Sequence, residues 1–305
     1  MKVLVATDKP FAPVAIEGIR REVEVAGFSL ALLEKYSSKE QLLEAVADAE
    51  ALIIRSDLID AEVIAAAPKL KIVVRAGAGY DNVDLDAASK AGVCVMNTPG
   101  QNSNAVAELV FGLLVFAFRN FYNGSSGFEL KGKRIGIHAY GNVGRNVARI
   151  AKGFGMEVAA YDAFCPAASI EADGVKALPS AEELYASCDV VSLHIPATEQ
   201  TKKSIGKILL EKMPKGAVLV NTARKEVIDE EALLLFMKER PDFKYLTDIL
   251  PANDAAMQEA GKGRYFSTPK KMGAQTAEAN INAGIAAAQQ IVDFLKNGNE
   301  SFRVN

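Results

Sequence analysis

Tryptophan is absent from this 305-residue chain, histidine occurs twice and cysteine only three times. The thiols, Cys94, Cys165 and Cys188, are odd in number and far apart. They form neither a zinc spacing nor a disulfide framework and read as buried or incidental. A strong charge of one sign is also missing. The net charge of −3 gives no basis for a nucleic-acid or membrane partner, and an anionic substrate would need local positive groups. No apolar run is long enough to cross a bilayer; the longest, LVFGLLVFAF at 109–118, suits a buried helix. The opening MKVLVATDKPF is broken by Asp8, Lys9 and Pro10, so it reads as a strand and turn rather than a signal peptide. The cytoplasm is the expected compartment. Repeats and low-complexity tracts are lacking, which excludes solenoids and disordered tails.

What is present is a recurring alternation. Half of the residues are hydrophobic, enough for a sizeable core, and the length predicts two domains. VLVAT (3–7), ALIIRS (51–56), KIVVRAG (71–77) and VCVMNT (93–98) read as strands, with Ala/Leu/Glu-rich helices between several of them. The pattern resumes with RIGIHAY (134–140), EVAAYD (157–162), DVVSLHIP (189–196), AVLVNTA (217–223) and YLTDIL (245–250). Continuous apolar strands separated by helices predict α/β folding, with parallel sheets covered on both faces. Pro99 and Gly100 end one unit, and Asn104 is expected to cap a long helix to Asn120. A small-residue helix over 276–298 is expected to return the chain to the first domain. The expected boundaries are 1–99 with 280–305, and 100–279.

The stretch GKRIGIHAYGNVGRNVARIAKGFGMEVAAYD (132–162) carries the most chemistry. A strand enters Ala139-Tyr140-Gly141-Asn142-Val143-Gly144 and a helix follows, a G-x-G-x-x-G pattern with alanine in its first slot. Gly141 allows close backbone approach to a pyrophosphate, and Gly144 allows close helix packing. The first N–H groups of the helix, at Asn142 and Val143, can hold phosphates. A second strand ends in Asp162, where a carboxylate binds adenosine ribose hydroxyls. No arginine immediately follows Asp162, so NAD is expected rather than NADP.

With these residues, the chain resembles the D-2-hydroxyacid dehydrogenases, most closely the short D-3-phosphoglycerate dehydrogenases without a regulatory domain. That resemblance implies two doubly wound parallel-sheet domains, one a Rossmann dinucleotide-binding domain and the other flavodoxin-like. VRAGAGYDNVD (74–84) is similar to the family's substrate loop. It implies that backbone amides around Ala76 and Gly77 take a substrate carboxylate and that Ala78 lies by the cofactor. NTPGQNSNAVAEL (97–109) implies that Asn102 faces the substrate, and Arg55, Ser56 and Arg75 are implied at its anionic end. Ile195, Thr222, Ala223, Asp248 and Ala274 are implied to line the cofactor site, and Arg224 to be the catalytic arginine. Its planar fork can hold a carboxylate and polarise a ketone oxygen, although a surface pair with Glu226 is the bland alternative. His194 and His138 fall outside the family's catalytic slot. The family also implies a homodimer, domain closure over a cleft, and, with the chain stopping at Asn305, no serine feedback through an appended domain.

Most relatives carry a glutamate after the Asp248 position and then a catalytic histidine. Here Asn253 falls where the glutamate would, and Lys271, in TPKKMGAQTAEA (268–279), falls where the histidine would. A lysine base must be neutral part of the time, against a reference pKa near 10.4. Desolvation and a neighbouring cation such as Arg224 lower it, whereas a glutamate would raise it. Lys271 is therefore expected to be the acid/base. The alternatives are that it acts only by charge, or that Lys270 points inward instead. The implied reaction is oxidation of 3-phosphoglycerate, a small anionic substrate, to 3-phosphohydroxypyruvate, the entry to serine biosynthesis. Reduction of glyoxylate, hydroxypyruvate or another 2-keto acid, and a non-catalytic NAD-sensing role, are the competing readings. No metal site is expected.

Overall fold

The computed structural model describes residues 1–305 and divides into two compact units. One comprises Met1–Asn102 with Gln275–Asn305, the other Ser103–Ala274. The divisions fall at 102/103 and 274/275 rather than 99/100 and 279/280. The later one falls there because the last helix, Ala277–Asn297, belongs whole to the first unit.

The first unit is built on β1 (Lys2–Thr7), β2 (Ser29–Glu34), β3 (Ala51–Ile54), β4 (Ile72–Arg75) and β5 (Cys94–Asn97). They form one parallel sheet in the order β2-β1-β3-β4-β5. Ala51–Ile54 is buried along its whole length because helices cover both faces, which is why it reads as a continuous apolar run. Thr276 starts the last helix by accepting the Ala279 N–H, and Gly298 ends it with a left-handed φ of 70°. That helix packs on Pro13–Val25, and the contact is close enough that a Cβ at Gly18 would lie 2.6 Å from Ile285 Cδ1.

The second unit holds β6 (Arg134–His138), β7 (Glu157–Tyr161), β8 (Lys176–Ala177), β9 (Val190–Leu193), β10 (Val218–Asn221), β11 (Lys244–Thr247) and β12 (Tyr265–Ser267). The order is β12-β11-β10-β9-β6-β7-β8, and every neighbouring pair is parallel. The chain enters at β6, runs outward through β7 and β8, then crosses back to β9. The strand order therefore reverses between β6 and β9, and the crevice beyond the carboxyl ends there is where such sheets bind ligands. Two apolar clusters sandwich the sheet, one beneath Ser103–Phe118 and Asn142–Gly153 and one on the opposite face. Both units are thus doubly wound α/β.

Three strands differ from the sequence reading. β2, SLALLE, is made of residues that favour helix, and pairing with β1 at the sheet edge overrides that preference. β8 and β12 are short edge strands with little pattern to read. Asn104 does not cap its helix. It lies within Ser103–Phe118, donating to Glu108 and accepting from Arg149, and the helix stops short of Asn120. No helix is long and apolar enough to cross a membrane.

Candidate active site

The turn from β6 into the helix Asn142–Gly153 has the shape a dinucleotide needs. Gly141 is the N-cap and no side chain caps the helix, so its first N–H groups, including those of Asn142 and Val143, lack intrahelical acceptors. A Cβ at Gly141 would meet nothing within 4 Å, so the backbone faces open space. At Gly144 a Cβ would lie 2.4 Å from the Ala139 carbonyl oxygen, which ties this glycine to packing. Ala139 itself has φ 79°, a left-handed geometry that an L-residue adopts at about 1–2 kcal/mol. That strain is the physical reason glycine suits this slot.

Asp162 follows β7 and braces the same turn. Its Oδ2 accepts from Tyr140 N at 2.6 Å, and its Oδ1 from Phe164 N and Cys165 N at 2.7 and 2.9 Å. Burial pushes the carboxyl up, but these three N–H groups outweigh it and hold the pKa below the usual range. Arg145 reaches toward the loop, with Nη2 3.7 Å from Cys165 Sγ, but it is ion-paired to Asp173 and lies over the Tyr140 ring. No uncommitted cation therefore stands by Asp162. Tyr140, unassigned by the sequence, is buried and donates to Asp173, so it anchors the fingerprint loop from behind.

The carboxyl ends of β10 and β11 gather the catalytic candidates. Arg224 Nη1 donates to the Ala223 carbonyl oxygen at 2.9 Å, and Lys271 Nζ donates to that same oxygen at 3.4 Å. Two cations thus converge on one acceptor, and the guanidinium is not committed to Glu226. Lys270 sends only its carbonyl inward, accepting from Thr268 Oγ1 at 2.7 Å. Thr222 and Asp248 are buried beside them, and Thr222 Oγ1 and Asp248 Oδ1 have no partner in the chain. Asp248 Oδ2 accepts from Met272 N at 3.1 Å and Gly273 N at 2.6 Å. Burial raises the Asp248 pKa, while those N–H groups and the Lys271 charge pull it back.

Two features here depart from expectation. The Lys271 side chain belongs to an exposed residue, so the chain itself does not supply the burial that a neutral lysine needs. Nor is the lysine beyond the reach of any carboxylate, because Asp248 feels its charge. The backbone N–H of Asn253, with that of Ala252, is held by Glu230. Ile195 and Ala223 are buried and Ala274 half-buried around this edge.

In the first unit, Arg55 and Arg75 close β3 and β4. Arg55 donates to the carbonyls of Lys9 and Pro10 at 2.8 and 3.1 Å and to Asn280 Oδ1 at 2.7 Å, above the Phe11 ring. Arg75 Nε donates to the Arg55 carbonyl at 3.0 Å. Its guanidinium fills the space over Gly77, where φ is 149° and a Cβ would lie 1.4 Å from Nη1. The amides of Ala76 and Gly77 are not available for a carboxylate, because they donate to the Ile54 and Arg75 carbonyls, each at 2.8 Å. Those of Ala78 and Gly79 have no acceptor in the chain, and Ala78 is held through its carbonyl by Asn97. Ser56 is exposed and Asn102 half-buried.

In the second unit His138 is buried and His194, just past β9, is half-buried. His194 Nε2 is 2.9 Å from Ser192 Oγ and His138 Nδ1 is 3.3 Å from Tyr185 Oη. Burial pushes them down to about 3 and about 4 respectively, so both imidazoles are neutral.

Residues 117–263 match the family described as D-isomer specific 2-hydroxyacid dehydrogenase, NAD binding domain. A D-3-phosphoglycerate dehydrogenase of Methanocaldococcus jannaschii is 36% identical over 85% of the chain, and one of Archaeoglobus fulgidus 36% over 97%. The chain covers 52% and 58% of these proteins, little more than half their length. A hydroxypyruvate reductase of Thermotoga maritima is 32% identical over 87% of the chain, which covers 91% of it. Among solved structures, NAD+-bound 3-phosphoglycerate dehydrogenase of Entamoeba histolytica is 48% identical, with a TM-score of 0.87 over 100% of this chain and 98% of that one. Two doubly wound units, a dinucleotide turn and these relatives agree, and the chain belongs to the D-2-hydroxyacid dehydrogenase family and carries its NAD-binding domain.

Proposed function

We propose that this chain oxidises 3-phosphoglycerate to 3-phosphohydroxypyruvate with NAD, using Lys271 as acid/base. The observation that carries the reading is the convergence of Arg224 and Lys271 on the Ala223 carbonyl oxygen. The relatives named D-3-phosphoglycerate dehydrogenase supply the substrate class.

The residues present fit NAD. Gly141 leaves room for a pyrophosphate, the open helix N-terminus offers N–H donors, and Asp162, just past β7, is the carboxylate for the adenosine ribose hydroxyls. Orphaned Asp248 Oδ1 and Thr222 Oγ1 are polar atoms for a ligand to satisfy. When bound, NAD+ supplies the acceptor for the hydride leaving C2. Arg224 holds the substrate's carboxylate and C2 oxygen and offsets charge as the C2–O bond becomes a carbonyl. Lys271, as the neutral amine, takes the hydroxyl proton and becomes the ammonium. The Arg224 charge favours the neutral amine, and bound cofactor and substrate add the burial that the exposed side chain lacks. Ala78 and Gly79 amides hold a carboxylate oxygen, and Arg55, Ser56, Arg75 and Asn102 meet the remaining anionic groups.

The relative named hydroxypyruvate reductase favours a second reading, reduction of an unphosphorylated 2-keto acid with Lys271 as the acid. Steady-state assays discriminate them. A higher kcat/KM for 3-phosphoglycerate than for glycerate supports the first, and the reverse order, with fast NADH-linked hydroxypyruvate reduction, supports the second. No turnover in either direction would leave only the NAD-sensing role.

A further inference from the structure

We propose that Asp248 is a positioning residue for Lys271, acting as a clasp on the backbone that follows the lysine. This rests on the reading of Lys271 as acid/base and adds how its loop is held. Asp248 is fully buried at the end of β11, and one carboxylate oxygen takes both the Met272 and Gly273 N–H groups. The approach is tight, since a Cβ at Gly273 would lie 3.0 Å from that oxygen and 3.2 Å from Val106 Cγ2. On the other side of the lysine, Thr268 Oγ1 holds the Lys270 carbonyl, and Thr268 N donates to Thr247 O at 3.1 Å. Lys271 is therefore the one residue between two fixed points, both built from the 247–248 strand end. From between these two points its Nζ reaches the Ala223 oxygen at 3.4 Å. Because Asp248 Oδ1 is left over, the same carboxylate can meet a ligand on one side and index the lysine on the other.

The test uses Asp248→Ala, Asp248→Asn and Gly273→Ala in the full chain, alone and combined with Lys271→Ala. NAD affinity is measured by calorimetry and loop opening by tryptic cleavage after Lys270 and Lys271 in the absence of ligand. Asp248→Ala is expected to lower kcat about 100-fold, the scale of an ångström's misplacement, and to speed tryptic cleavage. Asp248→Asn keeps an acceptor oxygen and should recover most of both. Gly273→Ala presses on the clasp from the loop side, so it should lower kcat at unchanged NAD affinity. In the Lys271→Ala background, at saturating NAD, the kcat loss of Gly273→Ala should vanish, because a change acting through the lysine has nothing left to position. Unchanged tryptic cleavage in Asp248→Ala, or a Gly273→Ala kcat loss that persists without Lys271, would overturn the clasp. Wild-type kcat in Lys271→Ala alone would instead sink the acid/base reading, while the cleavage data would still judge the clasp.

Discussion

The two glycines of the cofactor turn should respond to one added methyl group in opposite ways. Gly141 has φ −80° and ψ −158°, an extended conformation open to alanine, and its added Cβ meets nothing within 4 Å. Gly141→Ala should therefore leave the melting temperature unchanged or raise it slightly. The restricted unfolded chain contributes about 0.4–1 kcal/mol in favour of the fold. The methyl group would stand in the space that the pyrophosphate approaches, so NAD affinity should drop at least tenfold, about 1.4 kcal/mol. Gly144→Ala instead drives a Cβ to 2.4 Å from a backbone carbonyl and 3.0 Å from Ile137 Cγ2, neither of which is the end of a flexible side chain. Overpacking of that kind costs about 1–3 kcal/mol, a fall in Tm of roughly 3–10 °C for a unit of this size. Scanning calorimetry with and without NAD reads both effects. Full NAD affinity in Gly141→Ala, or an unchanged Tm in Gly144→Ala, would refute this account of the turn.

Arg224→Gln should lower kcat by about 10²–10³, and Arg224→Lys should not restore it, because a lysine lacks the planar fork. Initial-rate kinetics with saturating NAD would check this, and near-wild-type turnover by Arg224→Lys would remove the fork from the mechanism. The buried neutral imidazoles make a prediction about acid. Their folded pKa values, about 4 for His138 and about 3 for His194, lie below the ordinary value of 6.5. Below pH 6.5 the unfolded chain therefore binds protons that the folded chain does not, and stability falls as pH falls toward those values. The slope approaches about 1.4 kcal/mol per pH unit for each imidazole. Urea midpoints from pH 7 to 4 should show this, and His138→Phe, which keeps the ring against Tyr161 and Tyr185, should flatten the curve. Parallel curves for the two proteins would contradict it.

Much of the architecture could be read from pattern because both sheets are buried on two faces, so their strands stand out as apolar runs. The strand ends could not be read. ALIIRS and KIVVRAG look continuous, yet β3 and β4 stop at Ile54 and Arg75, and the side chains of Arg55, just past β3, and Arg75, the last residue of β4, turn back to hold the loops. The cofactor turn was legible because glycine spacing encodes close approach, but the strain at Ala139 shows only as a dihedral angle. In the sequence Lys271, rather than Lys270, falls at the position of the family's histidine, with no geometric reason attached. In the structure Thr268 and Asp248 grip the backbone on either side of Lys271. Neither carries a signal of that role in the chain, since hydrogen bonds to backbone depend on where two distant loops meet. The availability of the Ala76 and Gly77 amides was likewise invisible, because sequence does not show which N–H groups a sheet consumes.

The most direct test is kcat for 3-phosphoglycerate oxidation as a function of pH in wild type, Lys271→Ala, Lys271→His and Lys270→Ala. Lys271→Ala should lose at least about 100-fold in kcat, within the range for removing a general base. Lys271→His should regain part of it with an inflection moved toward neutral pH, and Lys270→Ala should keep the wild-type profile. Wild-type kcat in Lys271→Ala, or turnover abolished only in Lys270→Ala, would contradict the account.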